Sequence, residues 1–479
     1  MSGCILWFRR DLRLDDNPAL CAAVASGEPV VPVYILAPEE EAPWAPGAAS
    51  RWWLHASLES LDASLRSRGG RLWIGRGDSL GVLRRLAALT GASQVVWNRL
   101  YDPATRERDT RVKQALRADG LRCASHNGAL LHEPWELATT NGQPYRVFTP
   151  FWRAALRRLP GPAGPQPTPQ VIRFGAQPPG SLALDALDLR PRIPWDQGLQ
   201  ETWVPGEAGA LARAESFLAN ALSDYGERRD WPGSPATSRL SPHLHLGEIG
   251  PRRLLTLVSE RCGDLAAGPA EPFVRELGWR EFAHHLLHHF PHTTDTPLDS
   301  RFEDFPWSDD ASGESLRLWL RGRTVIPLVD AAMRELGSTG RKHNRARRVV
   351  ASFLTKNLRL PWQSGARWFW DTLVDADLAC NTLGWQWTAG CGADAAPYFR
   401  VFNPVLQGER FDPRGEYVRR WCPELARLPD KFVHQPWNAP PAVQSAAGLV
   451  LGRAYPRPCL DLAESRRAAL AAWERIKGG

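Results

Sequence analysis

Short apolar runs alternate with helical patterns over the first 130 residues. The run CILWF at 4–8 is continuously apolar, as is typical of a strand covered on both faces of a sheet. Similar runs predict strands at 30–35, 72–74, 94–97 and 121–125, and helical periodicity lies between them near 19–25, 50–67, 79–90 and 104–118. This alternation predicts an α/β domain with a doubly wound parallel sheet. No GxGxxG or GxxxxGK[ST] follows the first strand, which argues against ordinary dinucleotide and P-loop sites.

The pattern changes in the second half of the chain. Proline and glycine crowd the stretch from 159 to 205, which is typical of a surface connection. From residue 206 onward helical periodicity dominates, in segments such as EAGALARAESFLANAL and FVRELGWREFAHHLLHHF. The sequence therefore predicts an α/β domain at 1–130, an interdomain connection at 131–205 and an all-α domain at 206–479.

Composition narrows the class of protein. A net charge of +7 permits a polyanionic partner without demanding one. The eight cysteines show no CxxC spacing, which indicates reduced thiols in a cytoplasmic protein. No signal peptide and no run of about 18 apolar residues is present, which argues against export and membrane spanning. The 22 tryptophans serve core packing for the most part, and some suit stacking or electron transfer.

The segment TSRLSP at 237–242 predicts a helix start, with Ser241 as N-cap and Pro242 as the first helical residue. Thr237 and Ser238 would add hydroxyls beside that helix terminus, an arrangement that suits a phosphate. The alternative is helix capping without a ligand.

One amphipathic helix carries Glu276, Trp279 and Arg280 at spacings i, i+3 and i+4, so they share a face. An exposed salt-bridge face is the alternative interpretation. The same helix has histidines at i, i+4 spacing (His284 with His288, His285 with His289), but no HExxH pattern accompanies them. We therefore expect no metal.

A basic helix follows in GRKHNRARRVVASF. Helical periodicity places four polar residues on one stripe that could meet a phosphate backbone, namely Arg341, Asn344, Arg345 and Arg348. Arg347 lies off the stripe and is free to turn inward toward an acid such as Asp375. A solvated basic face is the alternative.

These motifs together resemble a known family. WFRRDLRLDDNPAL, TSRLSPHLHLGEI, ELGWREF, IPLVDAAMRELGSTG, HNRARRVVASF and DADLACNTLGWQW…DAAPYFRVFNP occur in order along nearly the whole chain. They are similar to DNA photolyases and their cryptochrome relatives, and among these the class I cyclobutane pyrimidine dimer photolyases are the expected match.

The resemblance implies that the all-α domain binds FAD. By motif, the cofactor-binding residues would be Tyr225, Thr237, Ser238, Leu240, Ser241, Arg280, Asn344, Arg347, Asp375, Asp377 and Asn381. Arg347 and Asp375 match the family's ion pair beside the isoalloxazine ring, and Asn381 matches its partner near the reactive ring nitrogen. Where relatives usually carry an indole at the start of the helix, this chain has Phe273.

The resemblance also implies electron-transfer and substrate roles. Trp385, Trp362 and Trp307 match the tryptophan chain that carries electrons from the surface to photoexcited FAD. Trp307, Trp362, Trp385, Asn381 and Glu276 are therefore the expected catalytic residues. A dimer must swing out of the duplex to reach a buried flavin, and the residues expected at the dimer and DNA are Arg229, Glu276, Trp279, Asn344, Arg345, Arg348 and Trp387.

The chain departs from the family pattern at three positions. Arg341 replaces an aromatic residue, Lys342 a methionine, and Arg348 the methionine expected at the dimer pocket. An arginine brings charge where a thioether makes an apolar contact, so Arg348 either reaches a phosphate or alters the pocket. Asn344 still favours cyclobutane dimers as the substrate, since the resemblance implies a histidine-rich motif at this position in (6-4) photolyases.

A second, antenna chromophore is left open by the sequence. NRLYDPATRERD lacks the amide–acid pair of folate-binding relatives and has Ala104 and Thr105 instead. A deazaflavin, another flavin or an empty pocket are the alternatives, and the first two are favoured over a folate.

The predicted function is light-dependent repair of cyclobutane pyrimidine dimers by an electron from photoexcited reduced FAD, in a monomer acting on damaged DNA. The alternative is a cryptochrome-like blue-light photoreceptor with weak repair or none. The sequence ends at Gly479 without a long tail, which favours the enzyme.

Overall fold

The computed structural model describes residues 3–159, 164–395, 399–453, 455–456 and 458–477. Ala396, Pro397 and Tyr398 of the motif DAAPYF, and residues 160–163 of the proline-rich connection, lie outside the described residues.

The N-terminal part forms the predicted parallel sheet. Its strands are β1 (Gly3–Phe8), β2 (Val30–Leu36), β3 (Trp73–Arg76), β4 (Ala92–Asn98) and β5 (Arg122–His126), in the order β3-β2-β1-β4-β5. Central strand β1 is buried along its whole length, and Leu6 pairs with Pro32 on one side and Val96 on the other. The helices between the strands are α1 (Pro18–Ala25), α2 (Ala48–Arg66), α3 (Ser79–Thr90) and α4 (Pro103–Ala118). The α/β prediction is confirmed.

Ion pairs cross the carboxyl ends of β1 and β4, where open parallel sheets commonly bind ligands. Arg10 bonds to Asp102 (2.5 Å) and Glu41 (2.7 Å), and Arg9 bonds to Asp109 (3.0 Å). These side chains are mostly buried and satisfy one another. The antenna chromophore thus stays a prediction, and any occupant of this crevice would have to lie against or displace these pairs.

The connection between the two parts contains helices α5 (Phe148–Arg157) and α6 (Gln197–Thr202). Phe148, Phe151 and Trp152 of α5 are buried in one core with residues of the helical domain. Helix α5 therefore contributes directly to the environment of the site, although it lies within the predicted connection.

The rest of the described chain is helical. The α-helices are α7 (Glu207–Asn220), α8 (Tyr225–Arg228), α9 (Ser241–His245), α10 (Pro251–Cys262), α11 (Glu271–His289), α12 (Glu314–Leu320), α13 (Pro327–Thr339), α14 (Asn344–Ser352), α15 (Trp362–Thr372), α16 (Leu378–Ala389), α17 (Pro404–Phe411), α18 (Glu416–Trp421), α19 (Asp430–Val433), α20 (Pro441–Ala446) and α21 (Leu462–Ile476). A π-helical turn continues α14 at Phe353–Asn357, and short 3₁₀ turns occur at Pro38–Glu41, Leu184–Leu187, Gly268–Ala270, Pro291–Thr294, Ser300–Asp304, Pro423–Leu425 and Pro436–Asn438. The all-α prediction is confirmed.

A buried carboxylate joins the two parts. Glu248 accepts hydrogen bonds from Trp53 Nε1 (2.9 Å) and Ser57 Oγ (2.7 Å) of α2, and also contacts His243 of α9. The charge is thus fully hydrogen-bonded inside the protein, as a buried carboxylate requires. This contact fixes α9, the helix that follows TSRLS, against the α/β part.

In the part of the chain that the structure describes, no helix is both long and apolar enough to cross a membrane. The eight cysteines form no disulfide with one another.

Candidate active site

A cavity of about 810 Å³ lies within the helical part. It is bounded by the loop 237–241 and by side chains from α8, α9, α11, α14, α15 and α16. The predicted site residues that line it are Tyr225, Arg229, Thr237, Ser238, Leu240, Ser241, Glu276, Trp279, Arg280, Asn344, Arg345, Arg347, Arg348, Asp375, Asp377, Asn381, Trp385 and Trp387. Residues as far apart in sequence as Tyr225 and Trp387, 162 positions, thus converge on one space. Trp362 and Trp307 do not line it.

The predicted inward ion pair is present. Arg347 Nη2 lies 3.1 Å and 3.3 Å from the two carboxylate oxygens of Asp375. Ser241 Oγ donates to the same carboxylate at 2.7 Å. The prediction of Ser241 as N-cap was wrong by one position: α9 begins at Ser241, its N-cap is Leu240, and no side chain caps it. The reason is that Asp375 takes the serine hydroxyl.

A second carboxylate, Asp377, is anchored at the start of α16. It caps the helix by accepting from Cys380 N at 2.8 Å, and its other oxygen lies 3.4 Å from His284 Nε2 and 3.7 Å from His245 Nδ1. Burial alone would raise the pKa of Asp377, but these histidines hold that pKa well below its usual value. Asp377 is therefore an ionised carboxylate at the cavity wall.

Asn381 follows one turn along α16 and is buried. Its Nδ2 donates to Ala366 O at 3.0 Å, whereas its Oδ1 has no hydrogen-bond partner among the described residues. A buried amide oxygen without a donor costs free energy, so this atom is available to a ligand in the cavity.

Arg280 and Tyr225 both line the cavity. Arg280 Nη1 donates to Ala129 O at 2.8 Å, which ties α11 to the segment after β5. Tyr225 packs edge-on against Phe273 at 5.6 Å. Phe273 thus occupies the position of the family's indole as a buried packing partner.

Trp279 and Trp387 line the cavity, and we call the part of the cavity beside these two side chains its mouth. Trp279 stacks face to face on Phe148 with ring centroids 3.8 Å apart, and Trp387 donates from Nε1 to Asp394 O at 3.1 Å. Both indoles are half-buried. Phe148 comes from α5 and carried no sequence signal for a site, because only the fold brings it behind Trp279.

Charged residues at the mouth are already paired. Arg229 Nη2 bonds to Glu276 at 2.6 Å, and Arg345 Nη2 bonds to Asp230 at 2.5 Å while its guanidinium covers Phe411 at 4.2 Å. Glu276 thus pairs with a residue outside α11, whereas the exposed salt bridge on this helix is formed by Arg275 and Glu271 (2.7 Å).

Arg348 reaches Trp387 rather than solvent. Its guanidinium lies 5.0 Å from the Trp387 ring, and among the described residues it forms no ion pair. Burial lowers the pKa of Arg348. The arginine found at the methionine position thus covers an aromatic wall through a cation–π contact.

The predicted stripe from Arg341 to Arg348 was wrong at its first member. Helix α13 ends at Thr339, where its C-cap Gly340 has a left-handed φ of 62°, and α14 begins only at Asn344, capped by His343. The helical periodicity is therefore interrupted across 341–343. Arg341 turns away from the mouth, donating to Glu335 Oε1 (2.8 Å) and Thr237 Oγ1 (3.0 Å).

Of the three tryptophans predicted for electron transfer, Trp385 lines the cavity, whereas Trp362 and Trp307 do not. Trp385 is buried at the cavity wall and Trp362 is buried at the start of α15. Gly365 of α15 lies so close to Trp385 that an added Cβ would come within 2.0 Å of the indole. Ser308 N, next to half-buried Trp307, bonds to Arg359 O (2.7 Å), three residues before Trp362.

Lys342 is a cavity residue that the motifs did not place. It is 5% exposed, its Nζ lies 2.9 Å from Met333 Sδ and 4.4 Å from the Phe369 ring, and no carboxylate pairs with it among the described residues. Burial, and to a lesser degree Arg347, lowers its pKa well below the usual value. The lysine fills a methionine's place with an amine in apolar surroundings.

Replacing Lys342 by methionine should stabilise the fold by about 1–3 kcal/mol at pH 7, because it removes a desolvated amine without a carboxylate. The unfolded chain, with an amine pKa of about 10.4, binds more protons than the folded one, so wild-type stability rises with pH up to that value. The gain should therefore be larger at pH 7 than at pH 10. The midpoint of urea unfolding at both pH values measures it.

Exposed Lys431, replaced by methionine, is the control and should shift neither midpoint. A lower midpoint for Lys342→Met at pH 7 would show that the amine stabilises the fold.

The histidines of α11 serve other contacts. His284 pairs with Asp377, and His285 Nδ1 contacts Pro134 O at 3.0 Å. Over the described ranges, no group of three or more His, Cys, Asp or Glu side chains could hold a metal ion.

The cavity has the features of a site for a large, polar, aromatic ligand. Its walls combine apolar side chains with two aspartates, an unpartnered amide oxygen and a cluster of arginines. Comparison with known proteins agrees: the family described as "FAD binding domain of DNA photolyase" matches residues 273–475, and that described as "DNA photolyase" matches residues 4–171.

Relatives match over the full chain. The deoxyribodipyrimidine photo-lyase of Agrobacterium fabrum is 48% identical over 474 residues, which are 99% of this chain and 98% of the relative. Cryptochrome-1 of Arabidopsis thaliana is 42% identical over 475 residues, 97% of this chain and 69% of the relative. The crystal structure of a bacterial class III photolyase from Agrobacterium tumefaciens superposes with a TM-score of 0.95 at 46% identity, covering 100% and 98% of the two chains. The chain belongs to the DNA photolyase and cryptochrome family.

One expectation is not supported. The motifs suggested a class I protein, whereas the structural neighbour just named is a class III photolyase. The motifs that carried the resemblance come from both parts of the chain: WFRRDLRLDDNPAL begins in β1, whereas TSRLSPHLHLGEI and ELGWREF include residues of the cavity.

FAD fits the cavity on the structural evidence. The unpartnered Asn381 Oδ1, the Arg347–Asp375 pair and the hydroxyls of the loop 237–241 all line the cavity, and Ser241 links the loop to Asp375. A dinucleotide with a polar ring edge and a diphosphate needs such a combination of donors and acceptors.

Proposed function

We propose that this protein repairs cyclobutane pyrimidine dimers in DNA when illuminated, with FAD held in the cavity of the helical domain. The observation that supports the proposal most directly is the convergence of two residue sets on one cavity. The inner set is polar and suits a flavin, while the outer set is aromatic and basic. When bound in its reduced state, FAD supplies a photoexcited electron that splits the dimer and then returns.

We assign the inner residues to cofactor binding. Arg347 and Asp375 keep a neutralised charge pair beside the ring position, and Asn381 offers its amide oxygen to a ring N–H. Asp377 holds the start of α16 in place through its cap, which orients Asn381 one turn later. Tyr225, Thr237, Ser238, Leu240, Ser241, Arg280 and Asn344 complete the proposed set.

We assign the mouth to the flipped dimer. Trp279 and Trp387 offer two flat apolar walls, and Phe148 behind Trp279 fixes its plane. Glu276 and Asn344 supply hydrogen-bonding groups to base edges, and Arg229, Arg345 and Arg348 supply positive charge for the phosphodiester. Arg229 orients Glu276 through their 2.6 Å contact.

A light-and-dark assay tests the proposal. Purified protein with reduced FAD should remove dimers from an irradiated oligonucleotide under blue or near-ultraviolet light, and the loss should stop in darkness. Equal loss in both conditions would reject a photochemical reaction, and failure to bind FAD after reconstitution would reject the cofactor.

A cryptochrome-like photoreceptor is the second candidate, supported by the 42% identity to Arabidopsis cryptochrome-1. It predicts a light-induced flavin signal that reverses in darkness, without loss of dimers in the same assay. The departure at Arg348 lies at the dimer-facing mouth, so dimer affinity is the property that separates the two candidates.

We further infer a class III rather than a class I photolyase, on the TM-score of 0.95 to the Agrobacterium tumefaciens structure. A monomer in the cytoplasm is consistent with the eight free thiols. We also propose that any antenna chromophore is a deazaflavin or a flavin rather than a folate, because Ala104 and Thr105 replace the amide–acid pair of folate-binding relatives.

A further inference from the structure

Arg341 lines the cavity with Arg239, Thr237 and Ser238, and we call this part of the cavity its inner end. The helical stripe predicts Arg341 elsewhere, beside Arg345 and Arg348. Arg341 leaves α13 just after Gly340 and carries its guanidinium to Glu335 Oε1 (2.8 Å) and Thr237 Oγ1 (3.0 Å). Its side chain is only 14% exposed. Arg341 thus bonds to the loop 237–241 and lines the cavity beside it.

The carboxylate that holds Arg341 is fully used by the protein. Glu335 is buried, one of its oxygens accepts from Arg341, and the other accepts from Tyr417 Oη at 2.6 Å. A guanidinium has five N–H donors in a planar fork. The two terminal nitrogens of Arg341 donate to Glu335 and Thr237. These two bonds leave further N–H groups of Arg341, which lines the cavity, for a ligand.

A second arginine stands beside it without a counter-charge. Arg239 lines the cavity and forms no ion pair among the described residues. Burial, with the nearby cations Arg341 and Arg213, lowers the pKa of Arg239 to about 10. Arg239 also has a left-handed backbone with φ of 56°, a conformation that costs a residue with a side chain free energy and is common at ligand sites.

This end of the cavity therefore has more positive charge than the protein neutralises. Arg239 and Arg341 share one nearby carboxylate, Glu335. Half-buried guanidinium groups in excess are costly unless an anion joins them. Thr237 and Ser238 add hydroxyls at the same place.

We infer that Arg341 and Arg239 form a diphosphate clamp for FAD, in which Arg341, positioned by Glu335 and Thr237, binds the cofactor's diphosphate. The inference rests on the proposed FAD site and adds to it a residue that the chain has in place of an aromatic side chain. Charge-assisted hydrogen bonds to phosphate are stronger than neutral ones and favour arginine for its planar fork.

A structural role for Arg341 predicts something different. If Arg341 only joins α13 to the loop 237–241, its loss should weaken the fold and reduce affinity for every flavin alike. A diphosphate clamp instead predicts a loss restricted to ligands that carry the diphosphate.

The experiment compares FAD with riboflavin, which has the same ring and no diphosphate. Arg341→Gln should release FAD from the holoprotein about 10- to 100-fold faster than wild type, measured by recovery of flavin fluorescence after dilution. Affinity of the stripped full-length protein for riboflavin should stay within about 3-fold, since one neutral hydrogen bond is worth little. The rate of FAD release from Arg341→Lys, which keeps the charge, should lie between the rates of wild type and Arg341→Gln.

Arg334→Gln is the matched control. Arg334 lies on α13, the helix that precedes Arg341, also pairs with a glutamate (Glu424, 2.8 Å) and does not line the cavity. It should leave FAD release unchanged. Circular dichroism of each stripped variant shows whether the fold is retained, and Arg341→Lys carries the test if Arg341→Gln does not fold.

Equal losses for FAD and riboflavin, or FAD release from Arg341→Gln at the wild-type rate, would overturn the clamp. Failure of the wild-type protein to bind FAD would instead reject the proposed function, so the two failures are distinct.

Discussion

Replacing Trp362 by phenylalanine is expected to abolish light-driven reduction of the bound FAD and to leave dimer repair by chemically reduced protein intact. Indole gives up an electron far more readily than the phenyl ring does, so the variant interrupts a series of donors without removing an aromatic side chain. Repair is spared because the proposed reaction returns its electron and needs none from the protein surface.

The structure gives this expectation its basis. Trp385 lines the cavity, the helix that begins at Trp362 packs onto Trp385 at Gly365, and half-buried Trp307 lies in a segment bonded to Arg359 just before Trp362. These contacts connect the segments that carry the three indoles, and the electron-transfer series itself stays a prediction. Trp385 also touches Trp319 at 6.2 Å, so residual photoreduction in the variant would indicate a route through that contact.

Trp370→Phe is the control, because Trp370 lies on the same helix, is buried, and belongs to no predicted series. Absorbance at the flavin bands under illumination with a reductant gives the photoreduction rate, and a dimer assay after chemical reduction gives repair. Photoreduction of Trp362→Phe at the wild-type rate would remove Trp362 from the pathway. Loss of repair in the reduced variant would assign Trp362 a structural role instead.

Asp375→Asn should weaken FAD binding by about 2–5 kcal/mol, or roughly 30- to 5,000-fold. The carboxylate accepts from Arg347 (3.1 Å) and Ser241 (2.7 Å), and an asparagine cannot neutralise the guanidinium. Removing one partner of a hydrogen-bonded charge pair leaves the other charge uncompensated at a half-buried site. Fluorescence titration of the stripped protein with FAD measures the change.

Asp371→Asn provides the matched control: Asp371 precedes Asp375 by one turn's length, is exposed, and accepts from Ala48 N at 2.9 Å outside the cavity. It should bind FAD as wild type does. Asp375→Glu, which keeps the charge, should recover part of the affinity. Wild-type affinity in Asp375→Asn would show that the pair does not hold the cofactor.

Sequence patterns were enough to predict the two-part fold and 18 of the residues that line the cavity, which is less than half of its lining. Continuous apolar runs such as 4–8 are compatible with few structures other than buried strands, so local pattern fixed the parallel sheet. Likewise, Arg347 and Asp375 were paired correctly because one side chain lies off the stripe of its helix and the other belongs to an acidic motif.

The contacts of the other basic side chains, Arg341, Lys342 and Arg348, depend on the tertiary structure. Arg341 was placed on the helical stripe because its spacing fits, yet Gly340 ends the preceding helix and turns Arg341 toward Glu335 and Thr237. Lys342 and Arg348 differ from the family at single positions, and their burial depends on Phe369 and Trp387, which come from other helices.

The physical reason is the range of the interactions. Periodicity reports the contacts of residues three or four apart, and it loses meaning wherever a left-handed glycine restarts the chain. A guanidinium's partner is chosen by charges and aromatic rings that arrive from distant segments, as Thr237 does for Arg341 across 104 residues. The sequence of residues 340–348 therefore shows which residues are basic, and the fold places Arg341 at the inner end of the cavity and Arg348 at its mouth.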